Sequence, residues 1–305
     1  MFNQSAANDN TFRDYTIIII LYCTGDFHAG NVIHSYEDSN HQPVAQVGRY
    51  NIETVIHWIQ EQQTITKQLS TTFTSLVIMG CSAGSLATQL WSKELLSIFQ
   101  WKKAAVVPDS ALGVFPVEVE GLLFRDIDFC SAPFLSTNLY TKCVQKQLRF
   151  EDINQEFIAS YPQVPFAFIH AKLDEVQLSF YDLMGMTSIE AKKKFITPKE
   201  FYNAANDMMG VYNSEHKNFV TYLIDGLHHC YTEQDLYYTT NTLGTEDDGS
   251  APQILPLYQW LNQLPLESNE SISTVCDGAL KISSSIIEDN TYCSTKVSPK
   301  TYTQR

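Results

Sequence analysis

The residues of this chain best placed to do chemistry stand in Gly80-Cys81-Ser82-Ala83-Gly84. An apolar run ending at Met79 leads into a serine with glycines two residues to either side. After it, Leu86, Leu90, Trp91, Leu95 and Ile98 recur at helical spacing. A serine held on a sharp strand-to-helix turn has this form, because the backbone there is crowded and glycines remove Cβ atoms that would collide. Ser82 is therefore the candidate nucleophile. Ala83, whose N–H opens the helix, is the candidate donor to an oxyanion.

A serine hydroxyl is a weak nucleophile until a histidine takes its proton, and a carboxylate must hold that ring in the right tautomer. In α/β-hydrolases these groups come in the order Ser, Asp or Glu, His, each on a loop beyond a strand. Pro165-Phe166-Ala167-Phe168-Ile169-His170 reads as a strand followed by Asp174 and Glu175. Asn218-Phe219-Val220-Thr221-Tyr222-Leu223-Ile224 reads as a last strand followed by His228 and His229. Asp174 is the first choice of acid, with Glu175 and Asp109 as alternatives. The spacing does not separate His228 from His229, and the one not used as base is a candidate pocket residue. Asp26 and His28, in a loop past the apolar run 15–22, are further pocket candidates; the plainer reading makes them a turn acid and an exposed histidine.

The elements that must position these groups alternate strand and helix. The run 15–22 is almost continuously apolar and predicts a central parallel strand covered on both faces. Ile52, Val55, Ile56 and Ile59 form one stripe of a helix over 52–68 with Asn51 as its N-cap. Short strands follow over 76–79 and 104–108, and helical spacing returns near 153–161, 198–212 and 255–264. This pattern gives an α/β class with a mostly parallel, doubly wound sheet and helices on both faces. Weak periodicity with Pro116 and Pro133 marks 111–147 as a cap or insertion. Residues 1–265 make the principal domain, and the Ser/Thr-rich tract 266–305 is expected to be a flexible tail.

Composition excludes several classes. Acidic residues outnumber basic ones 34 to 20, for a formal charge of -14, with no basic stripe, which disfavours nucleic acid and anionic membranes as partners. No apolar run approaches the roughly 18 to 20 residues of a membrane span, and 15–22 lacks the basic flank and cleavage site of a signal peptide. Seven cysteines without C-x-x-C spacing argue against a zinc or iron–sulfur site, and their odd number leaves at least one thiol unpaired within the chain. With no nucleotide-binding glycine pattern either, no cofactor and no metal are expected. Asn269-Glu270-Ser271 is a formal glycosylation sequon.

Taken in order, Tyr22-Cys23-Thr24-Gly25-Asp26, Gly48-Arg49, Gly80-Cys81-Ser82-Ala83-Gly84, Asp109-Ser110, Leu173-Asp174-Glu175-Val176-Gln177 and His229-Cys230 resemble the pectin acetylesterase/Notum family over roughly residues 15–264. The resemblance implies an α/β-hydrolase fold and a metal-independent serine carboxylesterase with Ser82 as nucleophile, Asp174 as acid and His229 as base. Family members remove O-acetyl groups from plant cell-wall pectin or, in the Notum branch, a fatty acyl group from a secreted signalling protein. The implied substrate is an acylated carbohydrate, with a long-chain acyl ester as the alternative. The implied location is extracellular or in the endomembrane lumen, and the protein is expected to be a monomer.

Two departures from the family pattern stand out. Gly84 is followed by Ser85 where the family often has Gly-Gly, a change a helix start tolerates. Nothing in residues 1–15 matches the Gly-Gly-Trp-type segment that supplies oxyanion donors, so the chain reads as an N-terminally shortened member. Loss of one donor costs about 2.7 to 4 kcal/mol of transition-state stabilisation. That departure also supports a third reading, a relative that binds without turnover.

Overall fold

The computed structural model describes residues 10–233, 235–243, 254–266, 271–276, 281–282, 285–286 and 301–303. Residues 1–9, Asn269 of the sequon and most of the tract after 276 lie outside the described residues. Two short antiparallel strands, β1 (Val32–Glu37) and β2 (Pro43–Gln46), precede helix α1 (Gly48–Thr64). A right-sized β-α-β unit follows in β3 (Thr72–Cys81), α2 (Ala83–Ile98) and β4 (Gln100–Asp109). Helices α3 (Val117–Asp126), α4 (Thr137–Val144) and α5 (Phe150–Ser160) lead to β5 (Phe166–Ala171). After α6 (Glu175–Thr187) and α7 (Pro198–Glu215) comes β6 (Phe219–Ile224). Then come α8 (Leu236–Thr239), the antiparallel pair β7 (Asn241–Leu243) and β8 (Ile254–Pro256), α9 (Leu257–Asn262), β9 (Ser271–Ser273) and β10 (Val275–Cys276).

The central sheet is five-stranded and parallel, in the order β10-β6-β5-β4-β3. Every residue of β5 and β6 is buried, which is why these strands read as unbroken apolar runs. Alternate residues feed two cores. Ala104, Val106, Phe166, Phe168 and Phe219 pack against Leu96 of α2, Ile158 of α5 and Met209 and Tyr212 of α7. Their neighbours Ala105, Val107, Ile169 and Tyr222 pack on the other face against Tyr237 of α8 and Leu257, Trp260 and Leu261 of α9. Helices thus cover both faces, as the alternation predicts. Each buried aromatic or aliphatic side chain contributes about 1.5–3 kcal/mol.

The run 15–22 is a correction. It forms no strand, and Ile18, Ile19, Leu21 and Tyr22 are exposed. A β-branched apolar run specifies burial, but a strand also needs a neighbour to complete its ladder. Among the described residues none pairs with the outer edge of β3, and 16–22 runs past it unladdered.

Helix α1 starts before the predicted 52, and Asn51 lies inside it rather than at its cap. The buried Asp26 carboxylate explains this: its Oδ2 accepts the Gly48 N–H at 2.7 Å, placing an anion at the positive end of the helix. The tract 111–147 contains α3 and α4, and a Cys130–Cys143 disulfide ties the short 3-10 turn Phe129–Ser131 between them to α4. Phe124, Phe129 and Leu139 of that tract pack with Ile52, Leu90 and Trp91, to one side of the sheet. Part of the tract after 265 is built into the fold. Val275 and Cys276 pair with Tyr222 and Leu223 at the sheet edge, and Ile272 is fully buried.

Candidate active site

Parallel strands with aligned carboxyl ends bring their following loops together. Cys81 stands opposite Asp109, Asp109 opposite Ile169, and Ala171 opposite Ile224, so Ser82, Ser110, Asp174 and His229 all follow neighbouring strand ends. Ser82 joins β3 to α2 at φ 59° and ψ -122°, a conformation that a non-glycine residue holds only when its surroundings force it. Gly80 is required there, since a Cβ would lie 2.4 Å from the Gly84 carbonyl oxygen. Gly84 itself faces open space, so of the two glycines expected to relieve a collision only Gly80 does so.

Asp174 is fully buried and does two jobs with two oxygens. Its Oδ1 caps α6, accepting the Val176 and Gln177 N–H groups at 3.1 and 3.0 Å. Its Oδ2 meets His229 Nδ1 at 2.7 Å and accepts the Gln177 side-chain amide at 2.9 Å. One residue here is both the cap of α6 and the partner of His229. Gln177 also accepts the Leu112 N–H, so the acid is tied to the loop beyond β4. His229 Nε2 is buried and has no hydrogen-bond partner. His228 and Glu175 are exposed.

Asp109, the alternative acid, is fully buried and organises the histidine loop. Its Oδ2 accepts the N–H groups of Tyr231 and Thr232 and the Thr232 hydroxyl at 2.7–2.8 Å, while Oδ1 accepts the Ser110 hydroxyl. Burial pushes its carboxyl pKa up, against those hydrogen bonds. Its backbone carbonyl accepts the Ser82 N–H at 3.0 Å, linking the Ser82 turn and the histidine loop through one residue. A disulfide adds a second link, joining Cys81, just before Ser82, to Cys230, just after His229. On the other side, the fully buried Lys172 Nζ pairs with Asp225 at 2.9 Å and holds the acid loop to the histidine loop. Sequence reasoning missed Lys172, the disulfide and the tie through Gln177. A lysine between Ala171 and Leu173, in an otherwise apolar tract, was the available signal.

Ser82, Ala83 and His229 line a cleft of about 1390 Å³. One wall is aliphatic and aromatic, with Ile17, Ile20, Ile52, Ile56, Leu76 and Phe115. Of the expected cap only Ala111 and residues 113–115 reach it, and Glu233 lies at its exposed rim. His28 also lines the cleft, 5% exposed, with its Nδ1 unpartnered. Burial depresses its pKa, opposed in part by Asp26. Asp26 lies behind that wall, its oxygens taken by the N–H groups of His28 and Gly48 and the Thr24 hydroxyl. His170, fully buried beside Asp174, has its pKa lowered to about 4, mainly by desolvation.

Comparison with curated protein sequences returns no match. Among solved structures, that of the Wnt deacylase Notum from Drosophila matches with 15% identity and a TM-score of 0.40, over 79% of this chain and 65% of that one. The chain thus spans about two thirds of that structure's length. The sequence profile of the pectinacetylesterase family matches residues 1–263, most of the chain. This chain belongs to the pectinacetylesterase family.

Proposed function

We propose that the chain is a serine carboxylesterase that removes O-acetyl groups from a carbohydrate through an acyl-enzyme on Ser82. The observation that carries this reading is the 2.7 Å contact of Asp174 Oδ2 with His229 Nδ1 beside a cleft that also holds the strained Ser82. With Nδ1–H donated to the carboxylate, the Nε2 lone pair is free to accept the Ser82 proton as Oγ attacks the ester carbonyl. The Ala83 N–H faces the negative charge that develops on the carbonyl oxygen. His229 then gives its proton to the departing alcohol and takes one from the water that clears the acyl group.

The family name supports an acetyl substrate on a pectin-like polymer. The disulfides Cys81–Cys230 and Cys130–Cys143 fit an oxidising, extracellular or lumenal location. A second reading, hydrolysis of a long-chain acyl ester, is favoured by the aliphatic wall. A cleft of about 1390 Å³ is far larger than an acetyl group needs. A fluorophosphonate probe should label the folded protein at Ser82 and fail on Ser82→Ala; equal labelling of both removes the serine mechanism. A series of p-nitrophenyl esters separates the substrates, with rates falling beyond acetyl for the first reading and rising toward octanoyl for the second.

A further inference from the structure

Among the described residues, one group of metal-ligating side chains converges within the span of a single ion. The Sγ atoms of Cys81 and Cys230 and a ring nitrogen of His229 all lie within 4.8 Å of one another. The two sulfurs are bonded to each other, so the group is masked. We propose that reduction of the Cys81–Cys230 disulfide opens a Cys2His site for Zn²⁺, and that the ion silences the esterase by occupying its base. The inhibitory half rests on the reading of His229 as general base; the metal site does not.

The dimensions suit zinc. Tetrahedral bonds of about 2.3 Å to sulfur and about 2.0 Å to nitrogen put ligand atoms about 3.5–3.8 Å apart. Released sulfurs on α-carbons 5.5 Å apart reach that separation by side-chain rotation. The imidazole is already oriented for it. Nδ1 is engaged by the buried Asp174 carboxylate at 2.7 Å, which leaves the buried, unpartnered Nε2 as the ligand. A carboxylate behind a histidine fixes the tautomer and raises the basicity that metal binding uses. Cys81 and His229 both line the cleft, so an ion has a path in. The other described disulfide, Cys130–Cys143, has no third ligand within that span and serves as an internal control.

The chemistry balances. A dithiol reductant cleaves the S–S bond by exchange, leaving thiols on Cys81 and Cys230 and becoming a cyclic disulfide itself. Zn²⁺ then displaces both thiol protons to solvent without moving electrons, and two thiolates neutralise its charge. A fourth position stays open for water. Sequence spacing gave no hint of this site, because its cysteines are separated by 149 residues.

The full chain, reduced with a dithiol and freed of reductant under anaerobic conditions, is titrated with Zn²⁺ and with Co²⁺. One equivalent should bind tightly, with thiolate-to-cobalt absorption, and none should bind to the oxidised protein. The Cys130→Ala/Cys143→Ala variant should behave like wild type, while Cys81→Ala/Cys230→Ala should lose the tight equivalent. Zinc should slow fluorophosphonate labelling of reduced wild type by about 100-fold or more, the usual contribution of a general base, and a chelator should reverse this. If reduction loosens the fold, zinc must raise the melting temperature of wild type and leave the Cys81→Ala/Cys230→Ala variant unchanged. Absence of stoichiometric binding, or its survival in that variant, overturns the site. Tight binding that leaves labelling untouched overturns the inhibition, and with it the role of His229 as base.

Discussion

The two sides of strand β3 are built differently. Toward β4, β5 and β6 each strand pairs with its neighbour, β5, β6 and the second half of β4 are buried, and the loops at the sheet's end are cross-linked. Asp109, Lys172 and the Cys81–Cys230 bond each tie together loops that carry Ser82, Asp174 or His229, and Gln177 ties the Asp174 segment to the loop beyond β4. On the outer side no described strand pairs with β3, and Ile18, Ile19, Leu21 and Tyr22 are exposed in a segment that lines the same cleft as β3. The paired side sets Asp174 and His229, the proposed acid and base, whose positions are fixed by several independent contacts. The open side holds the cleft and thus bears on which acyl group fits.

The largest effect that would sharpen this contrast is on turnover. Asp174→Asn keeps an oxygen for the α6 cap but removes the carboxylate from His229, so kcat should fall by about 10⁴-fold with the melting temperature nearly unchanged. Asp174→Ala should add about 1 kcal/mol of instability through the lost cap. Unchanged turnover in Asp174→Asn would transfer the acid's role elsewhere.

Next is the ion pair of the buried Lys172 with the partly exposed Asp225. Lys172→Met takes the ammonium away from a carboxylate that solvent still reaches and should cost about 1–3 kcal/mol in urea unfolding, whereas Lys172→Met/Asp225→Asn should recover part of it. A cost under about 1 kcal/mol for the single variant would mean that the paired side is less constrained than its contacts indicate.

A pH effect comes third. The His170 pKa is about 4 in the folded chain against 6.5 for a solvated imidazole, so between these values the unfolded chain binds a proton that the folded chain does not. Stability therefore rises with pH across that window and is lost as pH falls from about 6.5 toward about 4, by on the order of 3 kcal/mol. Urea midpoints of His170→Asn at pH 7 and pH 4.5 should differ less than those of wild type; an equal difference would assign the loss to other groups.

The smallest effect tests the open side. Ile19→Ser should change stability by no more than about 0.5 kcal/mol, since Ile19 is 62% exposed. A cost above about 2 kcal/mol would place the segment in a core and erase the contrast.

The same asymmetry governed what the sequence could tell. β5 and β6, buried on both faces, wrote themselves as unbroken apolar runs, and Gly80 and Ser82 carried a turn that few other residues permit. The run at 15–22 has the same composition but no paired neighbour, and composition alone does not record who stands beside a strand. His228 and His229 were equivalent by spacing; the His229-Cys230 resemblance pointed to His229, and the folded geometry puts it against Asp174. Asp109 was legible as a strand-end acid, but its hydrogen bonds to Tyr231 and Thr232 depend on chain segments about 120 residues apart.

The Cys81–Cys230 bond also has a consequence for biosynthesis. Its halves are separated by 149 residues, which a ribosome takes roughly 7–30 s to add. During that interval the first cysteine is made and waiting, while Cys130 and Cys143 emerge close together and find each other first. The cross-link beside Ser82 can close only after the histidine loop has been synthesised, so a nascent chain carries its serine long before it carries a braced catalytic centre.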